Sequence, residues 1–461
     1  MKLPSKSRVA LIEEECFHKL RTIGQEHLVN HWHALSSQQK ERLARQIAHL
    51  DNDLFLRQQA FLQETAVKPI SIEPFPHVFF AENSKNESLG HQLAEEGKVA
   101  LLILAGGQGS RLRCNGPKGL FPITAIRHKS LFQFLSEKIR AASKQMGRCL
   151  EVAIMTSPLN HVETVTFFNE HAFFGLDPKS IHFIYQKMWP LLNFEGNLFL
   201  EEVDQVAVGP NGNGGVFQIL SQSGVLKKWE SMGIEYVQCV PVDNPLAFPF
   251  DPQLIGFHAK QKNDITIQAV QRSDPLEQAG VLALVNEKPT VAEYSELADA
   301  EKEARDFQGN LKFGLTNIGL YCFSLSFLNQ ACAQQLPFHL AKKAVKRLDE
   351  NAVVTFPDMP NAIKFEEFIF DAFPSAEQVQ ALVYPRQWCF APLKNLKGGD
   401  SPETVRQALL TWDRTIFAKI TGNEPPSTIV FELAPQFYYP TEELLQRWKG
   451  KPFPNQDYIY E

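Results

Sequence analysis

The sequence predicts an α/β protein built on a doubly wound, mixed sheet, and three observations carry that reading. Val99 to Leu104 is an unbroken aliphatic run that empties into Gly106-Gly107-Gln108-Gly109, the pattern of a strand buried on both faces and closed by a tight loop. Beyond it, apolar runs of strand length alternate with segments of helical period. Residues with special chemistry recur where those strands end, which is where open α/β sheets bind ligands.

The elements follow in order. Residues 1–95 read as an N-terminal helical region and linker. Ser36-Ser37-Gln38-Gln39 resembles a capping box, and Leu43, Ile47, Leu50 and Leu54 form one apolar stripe behind it. The prolines Pro69, Pro74 and Pro76 mark an extended connection over residues 66 to about 95. Residues 96–397 form the central domain. Its strands are Val99–Leu104, Leu150–Thr156, Ile181–Gln186 and Glu235–Asp243, and its helices include Leu131–Ile139, His161–Asn169 and Gly224–Met232. Past residue 260 the strands at Asp264–Val270, Gly280–Val285 and Asn317–Phe323 suggest an antiparallel or mixed extension, and Phe365–Asp371 reads as an amphipathic helix. Residues 398–461, with a helix over Pro402–Trp412, are expected to form a small C-terminal domain.

Composition narrows the function classes. A chain of 461 residues has room for two or three domains. Its formal charge of −6, from 46 basic and 52 acidic residues, argues against a broad nucleic-acid surface, so any phosphate recognition must be local. The seven cysteines are scattered without a Cys-x-x-Cys pair, which suits free thiols in a reducing compartment and argues against zinc. No apolar run reaches the roughly 20 residues of a membrane span. The N-terminus leads into Glu13-Glu14-Glu15 and not into a signal core, so the expected location is cytoplasmic with no membrane partner. His27, His31 and His33 lack an accompanying carboxylate cluster and read as histidines of a helical region near Trp32, not as metal ligands.

The glycine loop is the centre of the chemistry. Glycine N–H groups with Arg111 and Lys118 close behind suit a phosphate ester. It is no Walker loop, and Leu112 occupies the place of the third glycine of a dinucleotide loop. Asn211-Gly212-Asn213-Gly214-Gly215 is a second glycine loop, either pressed against a base or sugar or simply a surface turn. Asp243, in Val242-Asp243-Asn244-Pro245, is a turn former or a magnesium ligand, since Mg²⁺ is commonly held by one or two carboxylates plus substrate phosphates. Taken alone, Gln186, Lys364 and Lys394 are uninformative.

Together these segments resemble the eukaryotic-type UDP-sugar pyrophosphorylases, in particular the UDP-N-acetylhexosamine branch. The resemblance spans nearly the whole chain. It rests on the loop from Leu104 to Lys118, Gln186 with Met188 and Pro190, Pro210–Gly215, Val242–Asn244, Gly280-Val281, Glu293–Glu296, Asn317-Ile318, Ile363–Glu366 and Pro392–Asn395, in the family's order. It implies a Rossmann-like fold of the nucleotide-diphospho-sugar transferase type. It also implies transfer of uridylyl from UTP to a sugar 1-phosphate, most simply N-acetylglucosamine 1-phosphate, with release of pyrophosphate. In that reading Leu104, Ala105, Gly106 and Gly107 hold the nucleotide, and Gln186 and Gly212 contact uracil. Asn213, Gly280, Glu293 and Asn317 contact the sugar. Asp243 binds Mg²⁺, Arg111, Lys118 and Lys364 neutralise the phosphates, and Lys394 holds the sugar phosphate.

Four departures stand out. Ser110 replaces a Thr, Arg113 a Gly, Asn211 an Asp, and Gly314-Leu315-Thr316 an Asn-Ala-Gly. The last touches the sugar wall, which keeps UDP-glucose or broad UDP-sugar synthesis open as an alternative. A non-catalytic nucleotide-sugar sensor is the other alternative, with Arg113 as a degenerate position. The reaction itself asks for cations and alignment, because a sugar phosphate is already an anion and needs no general base.

Overall fold

The computed structural model describes residues 8–63, 71–81, 84–114, 116–272, 274–277, 279–294 and 296–460. It divides into two compact units. The larger consists of Ile70–Gln186, Val216–Gln335 and Ile369–Glu461; the smaller of Met1–Pro69, Lys187–Gly215 and Leu336–Phe368.

The larger unit is organised on one mixed sheet. In chain order its strands are β1 (Ile72–Pro74), β2 (Val78–Phe80), β3 (Val99–Leu104), β4 (Glu151–Thr156), β5 (Ile181–Tyr185), β6 (Tyr236–Pro241), β7 (Ile265–Gln271), β8 (Val281–Val285), β9 (Lys288–Ala292), β10 (Leu315–Ser324) and β11 (Val379–Tyr384). The main order is β2-β11-β7-β10-β6-β3-β4-β5. β6, β3, β4 and β5 run parallel, whereas β10 is antiparallel to both β6 and β7. β8 leaves the side of β10 by pairing Val281 with Thr316, and β9 and β1 flank it. The expected doubly wound mixed sheet is therefore present. Register places Leu104 beside Pro241 and Met155, and Thr156 beside Tyr185, so four parallel strands end level with one another.

β3 is almost entirely buried from Val99 to Ile103, which is why its sequence is aliphatic without alternation. The helix Leu131–Gln145 begins at Ser130, whose hydroxyl accepts from Gln133 N at 3.0 Å, and it buries Leu131, Phe132, Leu135 and Ile139 against the sheet.

The last 60-odd residues do not form the separate C-terminal domain expected over 398–461. The helix Pro402–Thr421 and the segment Phe431–Tyr439 place Val405, Leu409, Phe417, Phe437 and Tyr439 in the same core as Leu101 and Ile139. Tyr439 OH donates to Pro249 O at 2.7 Å, and Arg406 Nε donates to Ile123 O at 3.1 Å.

The smaller unit contains the helices Arg8–Thr22, Ser37–His49 and Asn52–Gln63. The capping box is formed by Ser36 and Gln39. Trp32, Leu43, Ile47 and Phe55 share a core with Leu192, Leu198 and Phe365. That shared core makes the unit discontinuous in sequence, so it does not follow the boundaries 1–95 and 96–397. Its strands Met188–Pro190 and Val208–Pro210 pair with each other, as do His339–Lys343 and Ala362–Glu366.

Two local expectations are corrected. Within the proposed linker, residues 84–95 are a helix, packed on the helix Pro252–Gln261 so tightly that a Cβ at Gly90 or Gly256 would collide with backbone. Its polar composition concealed the contact. The segment 365–371 is the end of a strand and the start of a short 3₁₀ turn, Ile369–Ser375, with Pro374 opposing a longer helix. Residues 1–7 and 64–70, covering part of the N-terminal and linker readings, lie outside the described residues, as do Asn115 and Ser295.

Candidate active site

The glycine loop closes on itself. After β3, Ala105 N donates to Met155 O at 2.7 Å, Gly109 N to Gly116 O at 3.0 Å, and Lys118 N to Gly107 O at 3.2 Å. These bonds fold Lys118 back beside Gly107. Asn160, fully buried, holds the loop from beneath: its Nδ2 donates to Ala105 O at 3.0 Å and Gly107 O at 3.2 Å, and its Oδ1 accepts from Ser157 N at 2.8 Å. Around Gly107 a Cβ would meet nothing within 4 Å, so this backbone has room for a ligand. A Cβ on Gly106 would instead stand 2.7 Å from Gln186 Nε2, which puts the Gln186 amide directly on the loop. Gln186 is held there by its own N–H, which donates to Thr156 O at 3.0 Å. Arg111 is exposed in the short turn Ser110–Leu112. Arg113 caps that turn at φ 54°, in the left-handed region glycine adopts freely, and its side chain is exposed.

The end of β6 brings the acid to Lys118 and, through backbone, to the segment that carries Lys394. Lys118 Nζ lies 2.9 Å from Asp243 Oδ2, with both side chains partly buried. The Asp243 backbone oxygen accepts from Leu393 N at 2.7 Å. Asn244, buried, donates from Nδ2 to Cys389 O at 2.7 Å and accepts Ala391 N at 3.0 Å. These three bonds fasten the segment carrying Lys394 to the residues that carry Asp243. Lys394 Nζ lies 3.6 Å from Asp400 Oδ2 and over the Phe390 ring.

The third group is gathered by β8, β9 and β10. Asn317 N donates to Gly280 O at 2.9 Å, and a Cβ on Gly280 would lie 3.6 Å from Glu293 Oε1. Asn317 Oδ1 accepts from Tyr321 OH at 3.0 Å and Gly319 N at 3.3 Å, so the amide Nδ2 is turned away from both. Burial pushes the Tyr321 hydroxyl upward in pKa and keeps it a donor.

The remaining expected residues sit on the smaller unit. Gly212 has φ 85°, and a Cβ there would collide with Glu367 O. Glu367 N donates to Asn211 O and Gly214 N to Glu367 O, both at 2.9 Å, which braces the loop that carries Asn213. Lys364 Nζ lies 2.7 Å from Glu366 Oε1, and a Cβ on Gly209 would lie 3.3 Å from Lys364 Cε. Gly212, Asn213 and Lys364 thus belong to one braced region.

Sequence reasoning missed Asn160, Tyr321 and the holding role of Asn244. Asn244 sat inside a quoted motif; Asn160 and Tyr321 carry no local signal. Among the described residues no group of three or more His, Cys, Asp or Glu could hold a metal ion, and His27 is occupied by Leu198 O at 2.7 Å. A lone carboxylate such as Asp243 suits Mg²⁺ completed by substrate phosphates, and suits zinc poorly.

A family model described as UTP–glucose-1-phosphate uridylyltransferase matches residues 53–450. The chain belongs to this family. As a member of the uridylyltransferase family it is a nucleotidyltransferase, in a family acting on UTP and sugar 1-phosphates. Human UDP-N-acetylhexosamine pyrophosphorylase-like protein 1 is 34% identical to it over 87% of this chain and 84% of its own length. The UDP-N-acetylglucosamine pyrophosphorylase of Saccharomyces cerevisiae is 33% identical over 95% of this chain and 98% of its own. A crystal structure described as a putative UDP-N-acetylglucosamine pyrophosphorylase from Entamoeba histolytica superposes with a TM-score of 0.76 at 31% identity, covering 83% of this chain and 98% of that one. The family resemblance read from the motifs and the fold class are both borne out. No helix among the described residues is long and apolar enough to cross a membrane.

Proposed function

We propose that this uridylyltransferase forms UDP-N-acetylglucosamine and pyrophosphate from UTP and N-acetylglucosamine 1-phosphate. The observation that carries the chemistry is the juxtaposition of Lys118, Asp243 and the Lys394 segment at the level ends of β3 and β6. The relatives named above support the choice of sugar.

The sugar phosphate is the nucleophile and arrives as an anion, so the barrier is the approach of one anion to the α-phosphorus of another. Lys118, beside the open backbone of Gly107, and Arg111 would neutralise the triphosphate, a role the family resemblance also gives to Lys364. Lys394 would hold the incoming sugar phosphate in line. Preorganised cations of this kind are commonly the largest single contribution to such a rate. Gln186 presents both a donor and an acceptor to the imide edge of uracil. Gly280, Glu293 and Asn317 would receive the sugar. Asp243 is the residue to hold Mg²⁺ together with substrate phosphates, and the ion would supply further charge neutralisation there. The seven cysteines are all free thiols, which supports a cytoplasmic setting.

The test is a panel of UTP with N-acetylglucosamine 1-phosphate, glucose 1-phosphate and galactose 1-phosphate, read by pyrophosphate release. The N-acetylated substrate should give the highest kcat/KM. Glucose 1-phosphate in first place would move the assignment to UDP-glucose synthesis, the alternative that the altered Gly314-Leu315-Thr316 keeps open. UDP-sugar binding without any pyrophosphate release would replace catalysis by sensing.

A further inference from the structure

Outside the residues gathered at the strand ends, the larger unit carries a cationic, aromatic pocket that no role above uses. Its volume is about 460 Å³, and Arg127, Lys129, Glu137, Arg140, Gln436 and Tyr458 line it. The pocket is firmly constructed. Glu432, buried, accepts the backbone N–H groups of Ile126 at 2.7 Å and Arg127 at 2.6 Å through Oε2. Lys129 is only 7% exposed, and its Nζ donates to Glu137 Oε2 at 2.6 Å and to Tyr458 OH at 2.9 Å. Its charge is therefore already balanced by Glu137.

The two arginines are different. The Arg127 guanidinium stacks 4.3 Å above the Tyr458 ring, and Arg140 Nη1 donates to Phe174 O at 3.2 Å. Among the described residues neither guanidinium meets a carboxylate, so each keeps N–H donors available while stacking or a backbone bond fixes its position. A pocket with spare guanidinium donors is complementary to an anion. Guanidinium forks match phosphate oxygens bidentately, and the volume falls within the range of small-ligand sites.

We propose that this pocket is a second anion site that takes a phosphomonoester, with Arg127 and Arg140 on the phosphate. The Lys129–Glu137 pair forms its rigid wall, and Tyr458 supplies an apolar face.

Glucose 6-phosphate is the probe, since its phosphate is not on the anomeric position that the transfer reaction uses. Calorimetric titration of the full chain should give saturable binding. Lys118→Ala, which disables the nucleotide loop, should leave that binding unchanged. Arg127→Ala/Arg140→Ala should weaken it at least tenfold; both side chains are exposed, so their removal spares the core. Arg127→Lys/Arg140→Lys, which keeps both charges but removes the planar forks, should also weaken it, which gives an independent reading if the alanine double variant misfolds. The proposal is overturned by absence of saturable binding to the wild type, by equal binding in Arg127→Ala/Arg140→Ala, or by its loss in Lys118→Ala.

Discussion

Lys118 Nζ and Asp243 Oδ2 stand 2.9 Å apart although 125 residues separate them in the chain. The pair keeps the ammonium at the mouth of the glycine loop and the carboxylate beside the Lys394 segment. Removing either partner leaves the other charge partly buried and uncompensated. Lys118→Ala and Asp243→Ala should each lower kcat by about 10²–10³, the usual cost of losing one preorganised electrostatic contact. Steady-state pyrophosphate release with Mg²⁺ present measures this, and near-normal turnover in Asp243→Ala would remove its proposed role as the magnesium residue.

Asn244 uses both ends of its amide to fasten Cys389 O and Ala391 N. In Asn244→Ala both backbone groups lose their partner, and unmet buried polar groups cost about 1–3 kcal/mol each. The Lys394 segment should then lose its alignment, and small displacements at a reacting centre cost up to about 10²-fold in rate. The expected outcome is a fall in kcat of at least tenfold with the KM for UTP changed less than threefold. Equal effects on both constants would mean that the side chain serves folding alone.

Arg113 occupies a left-handed backbone position at φ 54° with its side chain exposed. A non-glycine residue there costs roughly 1–2 kcal/mol, while glycine adds conformational freedom to the unfolded chain worth about 0.4–1 kcal/mol. The two oppose, so Arg113→Gly should leave stability unchanged or raise it by up to about 1.6 kcal/mol. Turnover should stay within a few-fold of wild type. A tenfold loss of kcat/KM for UTP would show instead that the guanidinium serves the triphosphate.

His258 is wholly buried, with Nδ1 at 2.9 Å from Thr266 Oγ1 and Nε2 without a partner. Burial pushes its pKa down to about 3. The unfolded chain, with histidine near its ordinary value of about 6.5, then binds the proton more readily. The stabilisation contributed by neutral His258 is complete above the unfolded pKa and is lost as pH falls from there towards the folded value. Each pH unit inside that window removes up to about 1.4 kcal/mol. Urea midpoints measured between pH 7.5 and 4.5 should fall more steeply for the wild type than for His258→Asn. Parallel slopes would place the acid sensitivity elsewhere.

The legible part of the fold was the part governed by local pattern. β3 to β6 could be read from aliphatic runs closed by turn residues, and the Ser36–Gln39 capping box from four letters. The helix over residues 84–95 was not legible, because it is secured by the close approach of Gly90 and Gly256 to backbone and not by an apolar stripe. The C-terminal segment looked separate because its Pro-rich turns interrupt the pattern, yet Phe437 and Tyr439 enter the main core. In the site, motif order pointed to Gln186, Asp243, Gly280, Asn317 and Lys394. Asn160, which holds the glycine loop, and Tyr321, which holds Asn317, gave no signal, and the motif containing Asn244 did not show its holding role, since an Asn or Tyr becomes a support only when a distant backbone group or amide is brought to it.

By itself the sequence determined the α/β class, the strand ends at which the chemistry collects, and membership of a uridylyl-transferring family, because these follow from short-range periodicity and ordered motifs. Tertiary structure alone decided that Lys118 meets Asp243, that the Lys394 segment hangs on Asp243 and Asn244, and that the N-terminal helices share a core with residues 187–215 and 336–368. Those relationships depend on strand register and on buried polar groups finding partners more than a hundred residues away, which no local window of the chain encodes.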